Sequence, residues 1–304
     1  MWLLYAFSGP VLWAVSTHID KFLVDKYFRH SDTAVLMVFT ALLGVIALPP
    51  IWLFEPKVLA LSWLATGVMT LSGILYMGAM LFYLRAIQTE EASVVAPLFQ
   101  ASTLFTFALG ALILHEMPRW PQLLGAGLVV LGALGLSLDK DMRLGGFKPR
   151  LVVLMLTATF VVALSSVVFK FFAVRDEFWS TTFWTFVGEG LFGAGILAVP
   201  KYRRQFITLF RKNPGAVIGI NAANELINLG GGLGVRFASL LAPVALVSAI
   251  SATSTFFVFL FSVLLTLFFP KLGREDLSAR NLAQKAAGGL LIMAGVALIE
   301  ALAN

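Results

Sequence analysis

Along this chain, long apolar stretches alternate with short connectors in which most of the charged residues gather. Ten such stretches run near 2–24, 32–54, 59–86, 92–114, 119–138, 150–174, 179–199, 214–236, 241–269 and 281–302. Each is about 20 residues or longer, the length a helix needs to cross the hydrocarbon core of a bilayer. Too few residues remain for a soluble domain, which excludes a catalytic head outside the membrane. Composition agrees: 59% of residues are hydrophobic, only 12% are charged, and the mean hydropathy is +0.91. Soluble domains carry about a quarter charged residues. The expected fold is an all-α integral membrane protein with ten transmembrane helices.

The pattern also repeats across the midpoint. Trp13–Phe22 (WAVSTHIDKF) aligns with Val162–Phe171 (VALSSVVFKF), setting Ala14 on Ala163, Ser16 on Ser165, Lys21 on Lys170 and Phe22 on Phe171. The register carries Thr33 onto Thr182 and Gly44 onto Gly193. After a slip of two residues, Arg85 meets Arg236 and Ser102–Phe105 meets Thr253–Phe256. The charged, glycine-containing segment Asp139–Arg150 then joins five spans to five, giving one repeat over 1–140 and another over 148–304 within one membrane domain. Because five is odd, the second copy enters from the opposite face. Inverted repeats of this kind are typical of secondary transporters, which bind substrate where the repeats meet.

Charge changes the picture only by assigning sides. Fifteen Lys and Arg follow odd-numbered spans, among them Lys26, Arg29, Lys140, Arg143, Lys148, Arg150, Lys271, Arg274, Arg280, Lys285 and those of Lys201–Asn213. Only Lys57, Arg119 and Arg175 follow even-numbered ones. The positive-inside rule puts the first group in the cytoplasm and both termini outside. The net charge of +6 is thus a topology signal and not a sign of nucleic-acid binding. The segment Lys201–Asn213 (KYRRQFITLFRKN) reads as an ordinary cytoplasmic loop, with a short amphipathic helix on anionic lipid as the other reading. Met1–Pro10 lacks the basic region of a cleaved signal peptide and reads as the start of the first span.

Leu84–Leu138 has a distinctive order. A short Ala/Ser turn leads to a span with Pro97, then to a hydrophobic run ending near Glu116, then to a Gly-rich closing span. Arg236–Ile299 follows the same order with a longer insert, Pro270–Arg280, and without the matching proline. With ten spans in two five-span copies, the chain resembles the EamA type of the drug/metabolite transporter superfamily. The resemblance covers the whole chain in architecture and implies that family's fold and transport class. Its motifs are too loose to imply a substrate. Members usually keep both termini in the cytoplasm, whereas the charges here predict the reverse.

Ionisable groups inside a membrane are costly and mark candidate sites. The eighth span carries Asn221, Asn224, Glu225 and Asn228 at spacings of three and four, so they share one helical face. A carboxylate ringed by amides suits an amine or another hydrogen-bonding substrate. Since burial penalises its charged form, Glu225 is also a candidate for proton coupling. The plainer reading is a polar zipper between helices. Asp20 and Glu189 are further proton-coupling candidates, although pairing with a neighbouring helix accounts for Glu189 better. His18, Trp13, Gln100 and Tyr76 complete the candidate substrate-binding wall. Trp13 and Tyr76 offer aromatic faces to a cation, with packing as the plainer role. Ser102 and Thr103 join Pro97 and Gln100 in the fourth span, and Ser251, Thr253, Ser254 and Thr255 hold the mirror position in the ninth. Lys21, Lys170, Arg85 and Arg236 are gate or rim candidates, for which snorkelling to the interface and helix-end anchoring are the plainer readings. Gly230–Gly234 lacks the Lys-Ser/Thr of a phosphate-binding loop, leaving close helix packing or a gate hinge.

No enzyme signature, metal site or cofactor is expected: the chain has no cysteine and three histidines, and His115-Glu116 lacks the second histidine of a zinc helix. The expected function is a secondary transporter for a small polar metabolite, an amino acid or amine, working by alternating access in a bacterial or archaeal inner or plasma membrane. A flippase for a lipid-linked polar head group and a non-transporting scaffold or sensor are the rivals. The bilayer and a small molecule are the expected partners, and a homodimer is a candidate assembly.

Overall fold

A computed structural model describes residues 1–23, 32–89, 92–137, 149–212, 214–269 and 278–301, and among these there are helices and no strand. Lys26, Arg29, Lys140, Arg143, Lys148, Lys271, Arg274 and most of the connector between the expected repeats lie outside the described residues. The first half supplies α1 (Trp2–Leu23), α2 (Thr33–Phe54), α3 (Trp63–Thr89), α4 (Ala92–Ile113) and α5 (Trp120–Ser137). The second supplies α6 (Pro149–Arg175), α7 (Phe178–Ala198), α8 (Pro200–Lys212), α9 (Pro214–Leu241), α10 (Val244–Ser251), α11 (Ser254–Phe268) and α12 (Ala279–Ala301).

Among the described residues, five helices are long and apolar enough to span a membrane by themselves: Thr33–Phe54, Trp63–Ala86, Arg150–Arg175, Val244–Phe268 taken as one, and Asn281–Ile299. The apolar segments Leu98–Ile113 and Trp120–Leu136 are shorter. Helices α1 and α9 are long, but carry the polar side chains described below. Two features depart from the reading of the sequence. The ninth span breaks at Ala252–Thr253 into α10 and α11. Lys201–Asn213, expected as a loop, is for the most part a helix, because Pro200 starts α8 where α7 ends and turns it through 98°.

Helix ends are set by local chemistry. Asp32 caps α2, its Oδ1 accepting the Ala34 amide at 3.0 Å. Pro243 starts α10, and the Val244 amide there donates to Glu116 Oε2 at 2.8 Å.

The most extensive packing runs between the two halves. Helix α1 packs on α9 and α3 on α6; α4 packs on α6, while α1 meets α10 and α11; α2 packs on α7 and α5 on α12. Glycines make the α5–α12 seam possible. A methyl group added at Gly132 would lie 2.5 Å from the Gly288 carbonyl, and one at Gly295 2.5 Å from that of Gly125. Between α3 and α7 the same reciprocity sets Gly73 on the Thr185 carbonyl and Gly188 on that of Thr70. Small residues let helix backbones meet where lipid supplies no hydrophobic drive.

Candidate functional site

The stripe on α9 faces α1 and α2. Asn221, Asn224 and Glu225 are buried, and Asn228 is half-buried. Asn224 Nδ2 donates to Asp20 Oδ1 of α1 at 2.7 Å, and Ser16 Oγ donates to Asp20 Oδ2 at 3.5 Å. Thr40 Oγ1 of α2 donates to Glu225 Oε1 at 2.9 Å. Asp20 and Glu189 both lie within electrostatic reach of Glu225. Asn221 Nδ2 and Asn224 Oδ1 are buried without a hydrogen-bond partner among the described residues, each costing about 1–3 kcal/mol in such a state.

Glycines bring α1 this close. Gly231 receives the Trp13 indole, Gly234 receives Ser8, and α9 runs as unbroken helix through Gly230–Gly234. That packing gives Trp13 a structural role. His18 Nε2 lies 3.2 Å from the Val258 carbonyl of α11, tying α1 to a second neighbour. Gln100 is half-buried on α4, and Lys21 is exposed at the end of α1. One turn beyond Asp20, Leu23 packs with Val35 of α2 and Leu209 of α8, so the polar cluster sits just inside the face that α8 covers.

The buried Glu189 and the half-buried Glu116 have cations. Arg236 Nη2 donates to Glu189 Oε1 at 3.1 Å, with its guanidinium 5.2 Å from the Phe169 ring and 5.1 Å from that of Phe186. Arg236 therefore turns inward to an acid of α7 instead of standing at a rim. Tyr76 of α3 lies near this pair. Lys170, the other inward cation, forms an ion pair with Glu116 and donates to the Ala242 carbonyl at 2.6 Å. Glu116 also caps α10, so Lys170 and Glu116 together bolt α6, the α4–α5 connector and the α9–α10 break.

Arg85 does lie at a helix end. It reaches Asp32 at 3.6 Å and Tyr202 at 3.3 Å, while Lys201 also reaches Asp32 at 3.6 Å. Thr103 accepts from Ser248 at 3.3 Å, which ties α4 to α10 one turn before the expected Ser251. The side chain of Pro97 lies outside the described ones.

The Lys170–Glu116 pair went unassigned in the sequence. Each residue sits near a helix end, where snorkelling or a family pattern explains it singly. Two cavities lie away from the α9 stripe: an apolar groove of about 520 Å³ along α4 and α5, and a polar one of about 420 Å³ between Glu55, Lys57, Ser62, Asp176, Glu177 and Ser180.

Residues 1–138 match the model of the EamA-like transporter family. This region is similar to EamA-like transporters. That family lies in the drug/metabolite transporter superfamily, and the apolar helices support a multi-pass membrane protein. The EamA match ends close to the boundary expected for the first repeat. One solved crystal structure aligns with 99% of this chain and 96% of its own at a TM-score of 0.67 and 16% identity, which shows a shared fold. A comparison with curated proteins finds no match.

Proposed function

We propose that this EamA-like protein is a secondary transporter for a small, amine-bearing polar metabolite such as an amino acid. It moves that substrate by alternating access through ten spans arranged as two inverted repeats. One observation carries the substrate class. Glu116 and Glu189 have Lys170 and Arg236, whereas Asp20 and Glu225 are met only by neutral groups among the described residues. Buried carboxylates of this kind call for a cation or a proton. An ammonium group held between Asp20 and Glu225, with Asn224 Oδ1 and Asn221 Nδ2 turned to an amino acid's remaining polar atoms, meets that demand. A proton on either carboxyl group competes with the ammonium, which couples substrate movement to proton movement.

The helix pairs support the inverted repeat. Exchanging each helix for its expected mate turns α1 on α9 into α6 on α3, and turns α4 on α6 into the ninth span on α1. The pairs α2–α7 and α5–α12 map onto themselves. The moving bodies are then groups of helices drawn from both halves, because the halves interlock. Of the basic rim that the flippase alternative calls for, Arg236 is bound to Glu189 and Arg85 keeps its place at a helix end.

Thermal stabilisation of the purified protein by amino acids, polyamines, sugars, nucleotides and polyprenyl phosphates tests this reading. Amines or amino acids are expected to raise the melting temperature, and Glu225→Gln to abolish the rise. Stabilisation by polyprenyl phosphate alone favours the flippase. Amine binding that survives Glu225→Gln and Asp20→Asn removes the site.

A further inference from the structure

Helix α8 leaves α7 at 98°, so where α7 crosses the bilayer, α8 lies along its surface. Its sequence, PKYRRQFITLFRK, holds five cations and no acid. At 3.6 residues per turn, these side chains sort into three faces. Tyr202, Gln205, Phe206 and Leu209 turn to the bundle, where Phe206 meets Phe39 at 5.0 Å and Gln205 Oε1 accepts the Asp32 amide at 3.1 Å. Ile207 and Phe210 form a second face, 41% and 44% exposed, with the exposed Arg203 between them, whose long side chain can snorkel to the headgroups. Lys201, Arg204, Arg211 and Lys212 form the third face, all exposed. Only Lys201 of these has a carboxylate partner among the described residues.

We propose that α8 is a binding surface for anionic lipid headgroups. Ile207 and Phe210 enter the acyl boundary while Arg204, Arg211 and Lys212 hold lipid phosphates. Charge complementarity selects the occupant. A bare cationic face flanked by exposed apolar residues fits a negatively charged lipid surface, and each basic residue near such a surface strengthens binding about fivefold. Docking through the Tyr202–Leu209 face holds α8 rigid against α2 and the end of α1, so the lipid meets a formed site and not a loose tail. This surface lies one helical turn from Asp20, on the same face of the bundle as the Arg85–Asp32–Lys201 group.

Native mass spectrometry of the purified full chain, titrated with phosphatidylglycerol or phosphatidylcholine, tests the proposal. Wild type is expected to retain phosphatidylglycerol preferentially, and the combined variant Arg204→Gln, Arg211→Gln, Lys212→Gln to lose more than about tenfold of that preference. Arg150→Gln, which removes an exposed cation at the start of α6, is expected to change it little. Inorganic phosphate and soluble glycerophosphate are expected not to compete. Equal retention of the two lipids by wild type overturns the proposal, as does an equal loss in Arg150→Gln. If the triple variant fails to fold, raising salt on wild type decides the matter: a preference unaffected by 0.5 M salt, about a threefold shorter screening length than at low salt, overturns it. The readout is lipid retention, so neither result depends on the substrate site.

Discussion

At the residue scale, the carboxylates of Asp20, Glu116, Glu189 and Glu225 divide by partner; Glu189 and Glu225 are buried and the other two half-buried. Glu116 and Glu189 are neutralised by cations from other helices. Lys170→Met is expected to destabilise the protein by about 1–3 kcal/mol, because it leaves the half-buried Glu116 without its cation. Adding Glu116→Gln is expected to recover much of that loss, and a double-mutant cycle read by thermal unfolding checks it. Glu225→Gln runs the other way. It removes a charge that no cation balances among the described residues, so the melting temperature without ligand is expected to hold or rise while amine-induced stabilisation disappears. The polar stripe was legible in the sequence because Asn221, Asn224, Glu225 and Asn228 recur at helical spacing within an apolar stretch. Its partners were not, since Asp20 and Thr40 lie about 200 residues away along the chain and no local pattern links them. Arg236 looked like a helix-end anchor for the same reason: sequence shows where a side chain starts, and a long one is free to turn inward.

Among elements, the closest approaches are made by glycine. Gly132→Ala or Gly295→Ala sets a methyl group 2.5 Å from a facing carbonyl, forcing α5 and α12 apart at a cost of about 1–3 kcal/mol. Gly67→Ala, with nothing within 4 Å of the added methyl, is expected to leave stability unchanged or slightly raised. The two outcomes are read from melting temperatures in one detergent. Apolar length marked out most helices in advance. It missed the break at Ala252–Thr253, because the residues there are compatible with helix and α10 owes its start to Pro243 and to an acid from another connector. It also favours a loop in place of α8, since thirteen residues of mixed charge and aromatic character become a helix only when their apolar face finds Leu23 and Val35.

Across the whole molecule, the halves interlock through α1–α9, α3–α6, α3–α7, α4–α6 and α5–α12. Residues 1–138 expressed alone are expected to be proteolysed or to aggregate, while co-expression with 139–304 restores a folded, co-purifying complex. A stable, monodisperse first half overturns this. The same interlocking bears on how the protein is made. When α5 leaves the ribosome, the Lys170 that Glu116 will bind has not been synthesised, nor has the Asn224 that Asp20 will bind. Gly125 and Gly132 have as yet no Gly295 or Gly288 to meet. The nascent first half must be held in the bilayer with its acids still waiting for partners, and the α5–α12 seam closes only when α12 arrives.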